Sequence, residues 1–164
     1  MALLFERLMH RINQLAGALA GVLIVYMVGH ILLEIVLRFF SESTYVLDEF
    51  IGYAVATMTF LGLGYALSQD GLIRVTLLLE RLPKPIAHGL DILTTLATLA
   101  AFGFFTWYWS ISVIRSFDRN TVSQTMAETP LWIPQGMVLV GMIVLCLTLL
   151  SRLLVLCTQG AKHG

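Results

Sequence analysis

Hydrophobic residues form four long runs along the chain, and short charged segments separate the runs. They cover about residues 15–37, 50–67, 90–113 and 131–155. Each run is near or above the ~20 residues that an α-helix needs to cross the hydrocarbon core of a bilayer. None shows the period-two alternation of a membrane β-strand. The pattern therefore predicts an all-α membrane protein with four transmembrane helices.

The composition supports this prediction and excludes several other classes of protein. Hydrophobic residues make up 58% of the chain and charged residues 12%. About 40 residues remain outside the runs, too few for a separate soluble domain, so residues 1–164 form a single membrane domain. The net charge of zero gives no field that would attract nucleic acid. Without a Walker loop or an HExxH motif, we expect no enzyme and no cofactor.

The positions of lysine and arginine predict the orientation of the helices. Basic residues remain mainly on the cytoplasmic side of a membrane. Three of the ten lie in the first and third connections, and the other seven lie in the N-terminal segment, the second connection and the C-terminal segment: Arg7, Arg11, Arg74, Arg81, Lys84, Arg152 and Lys162. Both termini are therefore predicted to be cytoplasmic. The apolar stretch after Arg11 is too long for a signal peptide, so we expect a retained first span.

A polar stripe lies in the outer half of the first run. His30, Glu34 and Arg38 follow one another at intervals of four residues, and Tyr26 extends the same helix face. An ionisable group inside a membrane is costly unless it is paired. A pair between Glu34 and Arg38, near the outer headgroups or facing a partner helix, explains the stripe. A proton or cation relay is the alternative, and haem ligation by His30 would need a second intramembrane histidine.

The connection between the second and third runs has an amphipathic pattern. Val75, Leu78, Leu79 and Leu82 recur at helical spacing over residues 72–82. This pattern predicts a short helix in the cytoplasmic interface, which serves as an anchor or as an arm for a partner. A plain loop remains the alternative.

Small residues and a proline-containing segment complete the candidate features. Gly17 and Gly21 lie on the first run and Gly62 and Gly64 on the second, where small side chains let helix backbones approach closely. The segment 129–135 reads as the outer start of the fourth helix, with Trp132 as an interface anchor and Pro134 in the first turn. No run is broken in mid-membrane, as the runs of a secondary transporter usually are. We therefore expect that the chain does not translocate a solute alone.

Several of these motifs, in this order, resemble the small membrane subunit of tripartite ATP-independent periplasmic (TRAP) transporters, the DctQ-like family. They are Arg38, Asp48-Glu49, the segment 60–64 (FLGLG), the segment 71–75 (GLIRV) and the segment 129–134 (TPLWIP). Leu72 stands where the family more often has histidine, and Thr76 where it more often has aspartate, so no role is carried over for those two groups.

The resemblance implies a non-catalytic subunit in the bacterial inner membrane. Its partners would be a large multi-span permease subunit, a periplasmic substrate-binding protein and the lipid bilayer. The large subunit would carry an organic acid with sodium by an elevator mechanism, and the small subunit would stabilise and anchor it. The candidate partner-interface residues are Gly17, Gly21, His30, Glu34, Arg38, Asp48, Glu49, Gly62, Gly64, Arg74, Trp132 and Pro134. The rival hypothesis is a self-sufficient small multidrug-resistance-type exporter that uses Glu34.

Overall fold

Four long α-helices account for most of the described chain. The computed structural model describes residues 2–69 and 83–160, and its helices are α1 (Ala2–Phe39), α2 (Leu47–Ser68), α3 (Lys84–Asp118) and α4 (Trp132–Gly160). All four are long and apolar enough to cross a membrane. The prediction of an all-α chain with four spanning helices is confirmed. The predicted interfacial helix over 72–82, with Arg74, lies outside the described residues, and the orientation of the termini stays a prediction.

The helices extend beyond the apolar runs that predicted them. With a rise of 1.5 Å per residue, the 38 residues of α1 span about 57 Å, whereas the hydrocarbon core measures about 30 Å. The 22 residues of α2 span about 33 Å and match the core. The first part of α1 continues as helix because Leu, Arg, Met and Glu are good helix formers. It therefore projects past the hydrocarbon region.

Helix α4 is the centre of the bundle. It packs against α1, α2 and α3, whereas α3 makes most of its helix contacts with α4 alone. Helix α2 lies against both α1 and α4. We call the end of the bundle that carries the connections 40–46 and 119–131 the loop end, and the opposite end, where α1 begins and α4 ends, the terminal end.

Two glycines let the central helices approach closely. A Cβ atom on Gly141 of α4 would lie 2.8 Å from Cβ and 2.9 Å from the carbonyl carbon of Phe60 on α2. A Cβ atom on Gly64 of α2 would lie 2.8 Å from the side-chain oxygen of Asn13 on α1. Both distances are shorter than a van der Waals contact, so these crossings require residues without a side chain.

Polar side chains join the helices near the terminal end. The Asn13 side-chain amide, 1% exposed, donates a hydrogen bond of 2.9 Å to Oγ1 of Thr148. Thr148 Oγ1 in turn donates to the carbonyl oxygen of Val144 at 2.8 Å. Arg152 on α4 donates to both carboxylate oxygens of Asp91 on α3, at 3.2 and 3.1 Å. These contacts tie α1 and α3 separately to α4.

Replacement of Gly141 by alanine tests the close crossing of α2 and α4. We expect Gly141→Ala to lower the free energy of unfolding by about 1–3 kcal/mol, because the new methyl group meets backbone atoms that cannot move aside. Gly103→Ala on α3 is the matched control, since a Cβ atom there meets nothing within 4 Å. Unfolding in mixed micelles measures both variants. Equal stability of the two variants would contradict the proposed crossing.

Candidate functional site

The carboxylate of Glu34 is buried and is held by the chain's own loop. Its side chain lies near the end of α1 and the residue is 2% exposed. Oε1 accepts a hydrogen bond of 2.5 Å from Ser43 Oγ, and Oε2 accepts bonds from the backbone N–H and Oγ1 of Thr44 at 3.1 and 2.7 Å. Arg38 Nε lies 3.4 Å from Oε1. Both carboxylate oxygens are thus satisfied within the chain.

The local sequence explains how the loop reaches Glu34. After α1 ends, the backbone N–H of Glu42 bonds to the carbonyl oxygen of Leu37, and the chain turns back. Ser41 and Tyr45 adopt the left-handed conformation, with φ of 61° and 58°, which lets the connection 40–46 reverse the chain without glycine. The predicted pair with Arg38 exists, but the arginine side chain is 70% exposed. The closer contacts come from the loop.

A second carboxylate, Glu49, connects the start of α2 to the connection 119–131. It lies in the first turn of α2, where Oε1 accepts a hydrogen bond of 2.8 Å from the Tyr53 hydroxyl group. Its Oε2 accepts a hydrogen bond from Thr125 Oγ1 in the connection 119–131. A carboxylate in the first turn of a helix also interacts favourably with the helix dipole. Glu49 therefore fixes the third connection to the start of α2.

The connection 119–131 has the form of a small hairpin. Val122 and Pro130 form an isolated antiparallel bridge. The backbone N–H of Ser123 donates to the carbonyl oxygen of Thr129 at 2.9 Å, and that of Leu131 donates to the carbonyl oxygen of Thr121 at 3.0 Å. These bonds satisfy backbone groups that would otherwise be open at the membrane surface.

Aromatic contacts join α1 to α2 beside the carboxylates. The Tyr26 hydroxyl group and His30 Nδ1 are 3.1 Å apart. The His30 ring lies 6.5 Å from the ring of Phe50, which contacts Tyr53 edge to face at 6.4 Å. His30 therefore belongs to an interhelical aromatic row, on the same helix face as Glu34.

The start of α4 is fixed to the end of α3. The Trp132 ring packs edge to face on Phe117, with ring centres 5.5 Å apart, and Pro134 is buried. Trp109 donates a hydrogen bond of 3.0 Å from its indole N–H to the carbonyl oxygen of Gln135. Trp132 and Pro134 thus contribute to the packing of α3 on α4.

The four predicted glycines have two different environments. A Cβ atom on Gly17 would lie 2.7 Å from the Tyr65 ring, and Gly64 lies against Asn13, so these two glycines serve contacts within the chain. Gly21 and Gly62 have no atom within 4 Å of such a Cβ. Both glycines therefore face open space, where lipid or another protein can approach the helix backbone.

The remaining candidates lie at the surface of the loop end or outside the described residues. Arg38 and Asp48 are exposed there, while Arg74 lies outside the described ranges. Within residues 2–69 and 83–160, no three His, Cys, Asp or Glu side chains lie together as a metal site would require.

The match to a known protein family covers most of this structure. The family model for tripartite ATP-independent periplasmic transporters, DctQ component, matches residues 27–159, from the second half of α1 to the last turn of α4. The chain belongs to the DctQ family. Comparison with curated proteins and with solved structures gives no match. This DctQ chain is therefore a multi-pass membrane component of a TRAP transporter, in agreement with the resemblance of its motifs.

Replacement of Glu34 tests its structural role in the DctQ chain. We expect Glu34→Ala to lower the apparent Tm by about 5 °C or more, because Ser43 and Thr44 then lose their acceptor. Glu42→Ala in the same loop is the control, since Glu42 is exposed. Thermal unfolding in detergent measures both. If the two variants had the same Tm, Glu34 would not organise the loop.

Proposed function

We propose that this DctQ chain is the static small permease subunit of a sodium-coupled TRAP transporter for organic acids. It stabilises and anchors a large elevator-type subunit, which carries the solute, in the bacterial inner membrane. Both of its termini face the cytoplasm. The observation that supports this role most strongly is that the chain uses its intramembrane polar groups for its own folding.

Transport requires polar groups that are available to a solute or an ion. Here Glu34 is engaged by the loop, Asn13 by Thr148, and Asp91 by Arg152. None of the four helices is interrupted. Such an arrangement supports a scaffold and leaves the solute pathway to the large subunit.

Two buried side-chain oxygens of the described residues have no hydrogen-bond partner. They belong to Thr57 on α2 and Gln135 on α4. Gln135 lies in the first turn of its helix, whereas Thr57 lies ten residues after the start of α2, about 15 Å along the helix axis. Neither residue lies at a break within its helix, where the substrate sites of secondary transporters usually lie.

The rival hypothesis of a self-sufficient exporter is not favoured. Such an exporter needs a carboxylate that binds and releases protons in contact with its substrate. The three hydrogen bonds from Ser43 and Thr44 occupy both oxygens of Glu34. Membership of the DctQ family points to a component of a larger system instead.

The side chains on the outward faces of the helices differ in size, and this difference supports one face as the contact surface for the large subunit. Open glycines are most numerous on α1 and α2, at Gly21, Gly29, Gly52 and Gly62, and others lie at Gly89 and Gly103 on α3 and at Gly136 on α4. Helix α3 also exposes a cluster of bulky aromatic side chains, with Phe104, Phe105, Trp107 and Tyr108 each more than half exposed. Small residues favour close packing of helices, whereas bulky aromatic residues suit lipid and its interface. We assign the α1–α2 face to the large subunit.

A bulky residue at an open glycine tests this assignment. We expect Gly21→Leu to reduce co-purification with the large TRAP permease subunit at least five-fold, because the added side chain separates the two backbones. Gly103→Leu on α3 is the control, since it too meets no atom of the chain. Co-expression followed by affinity purification measures the yield of complex. Equal yields from the two variants would exclude the α1–α2 face, and absence of any complex from the unaltered pair would contradict the proposed function itself.

The exposed charges of the loop end are proposed to help dock the periplasmic binding protein. Arg38 and Asp48 are available there, together with residues 115–128, which include the end of α3 and most of the connection that follows it. Glu49 holds the connection 119–131 in place at this surface through its hydrogen bond with Thr125.

We expect the double reversal Arg38→Glu and Asp48→Lys to weaken binding of the binding protein at least five-fold. Thr158→Glu at the opposite end is the control, since Thr158 is exposed there, and unchanged affinity in the double variant would refute the docking.

A further inference from the structure

A groove of about 1110 Å³ lies at the terminal end between α1, the last turn of α2 and α4. Its described lining combines charged and apolar side chains, among them Glu6, Arg7, Leu8, Arg11, Arg152 and Val155. The hydrogen bond between Asn13 and Thr148 closes its deep side. The α1 side of this groove lies before residue 27, outside the part of the chain that matches the DctQ family.

The charge of the lining is predominantly positive. Arg7 and Arg11 lie one turn apart on α1, and Arg152 faces them from α4. Glu6 is the one carboxylate among the described lining residues. Arg152 already binds Asp91. Arg7 and Arg11 form no ion pair with any residue in the described ranges, so both guanidinium groups can bind an external anion.

The groove lies at the level where a membrane changes from apolar to polar. The first apolar run begins at about residue 15 and the fourth ends at about residue 155, so Arg7 and Arg11 lie just beyond the hydrocarbon core. Met9 and Leu67 are buried along the wall, and Leu8 and Val155 provide further apolar surface. A guanidinium pair above an apolar wall matches a phospholipid, whose phosphate group lies above its acyl chains.

We propose that this groove binds the headgroup of an anionic phospholipid. Arg7 and Arg11 hold the phosphate group, because guanidinium groups bind phosphate oxygens with two parallel hydrogen bonds. The start of an acyl chain follows Leu8 and Val155. A zwitterionic lipid fits less well, since its ammonium group would find one carboxylate, Glu6, among three arginines.

Lipid binding to the full-length chain in detergent tests the proposal. Native mass spectrometry counts the lipids retained after addition of phosphatidylglycerol or phosphatidylcholine with the same acyl chains. We expect phosphatidylglycerol to bind at least ten-fold more tightly. The double variant Arg7→Gln and Arg11→Gln should lose this preference, and Arg7→Lys with Arg11→Lys should retain most of it. Arg115→Gln with Arg119→Gln, an exposed pair of the same spacing at the loop end, should bind as the unaltered chain does.

The other outcomes would each overturn the proposal. Equal binding of the two lipids by the unaltered chain would exclude a site that prefers anionic lipids. This result would not depend on the folding of any variant. Unchanged preference in the glutamine variant, or equal loss in the loop-end variant, excludes the groove as the site. If inorganic phosphate at millimolar concentration displaced phosphatidylglycerol, the groove would be a site for free anions and not for a lipid.

Discussion

A polar group inside a bilayer must find its partner within the protein, and the rest of this structure depends on that constraint. Asn13 and Thr148 join α1 to α4, and Asp91 and Arg152 join α3 to α4. Since apolar side chains gain little by leaving lipid for one another, these hydrogen bonds and the close glycine crossings select which helices become neighbours. Helix α4 becomes the centre because it contributes to both polar pairs.

The same constraint explains the acidic residues of the loop end. A carboxylate near the membrane is stable when several donors surround it. Glu34 accepts hydrogen bonds from Ser43 and Thr44, and Glu49 accepts them from Tyr53 and Thr125. Each acid thereby fixes one of the two connections of the loop end. Glu49, part of the Asp48-Glu49 motif, thus has a structural role, and the surface that we propose for a binding protein depends on it.

The sequence was sufficient to predict the four helices but not to predict how they pack against one another. Run length determines whether a segment can span a membrane, so four helices could be predicted without knowledge of any contact. The pair of Glu34 and Arg38 was predictable because both lie on one helix face. The contact between Thr125 and Glu49 was not predictable, since the two residues are 76 positions apart in the sequence. The roles of Gly17 and Gly21 could not be separated either, because spacing places both on one helix and does not show which of them meets Tyr65.

We propose that this DctQ chain supports a transport pathway and contains none of its own. Solute uptake into liposomes tests it most directly, with the chain alone, the large subunit alone, and both together, in the presence of the system's binding protein and a sodium gradient. We predict that liposomes with the chain alone take up no more solute than empty ones, and that both subunits are needed for full uptake. Uptake or proton flux through the chain alone, or full uptake by the large subunit without it, would contradict the claim.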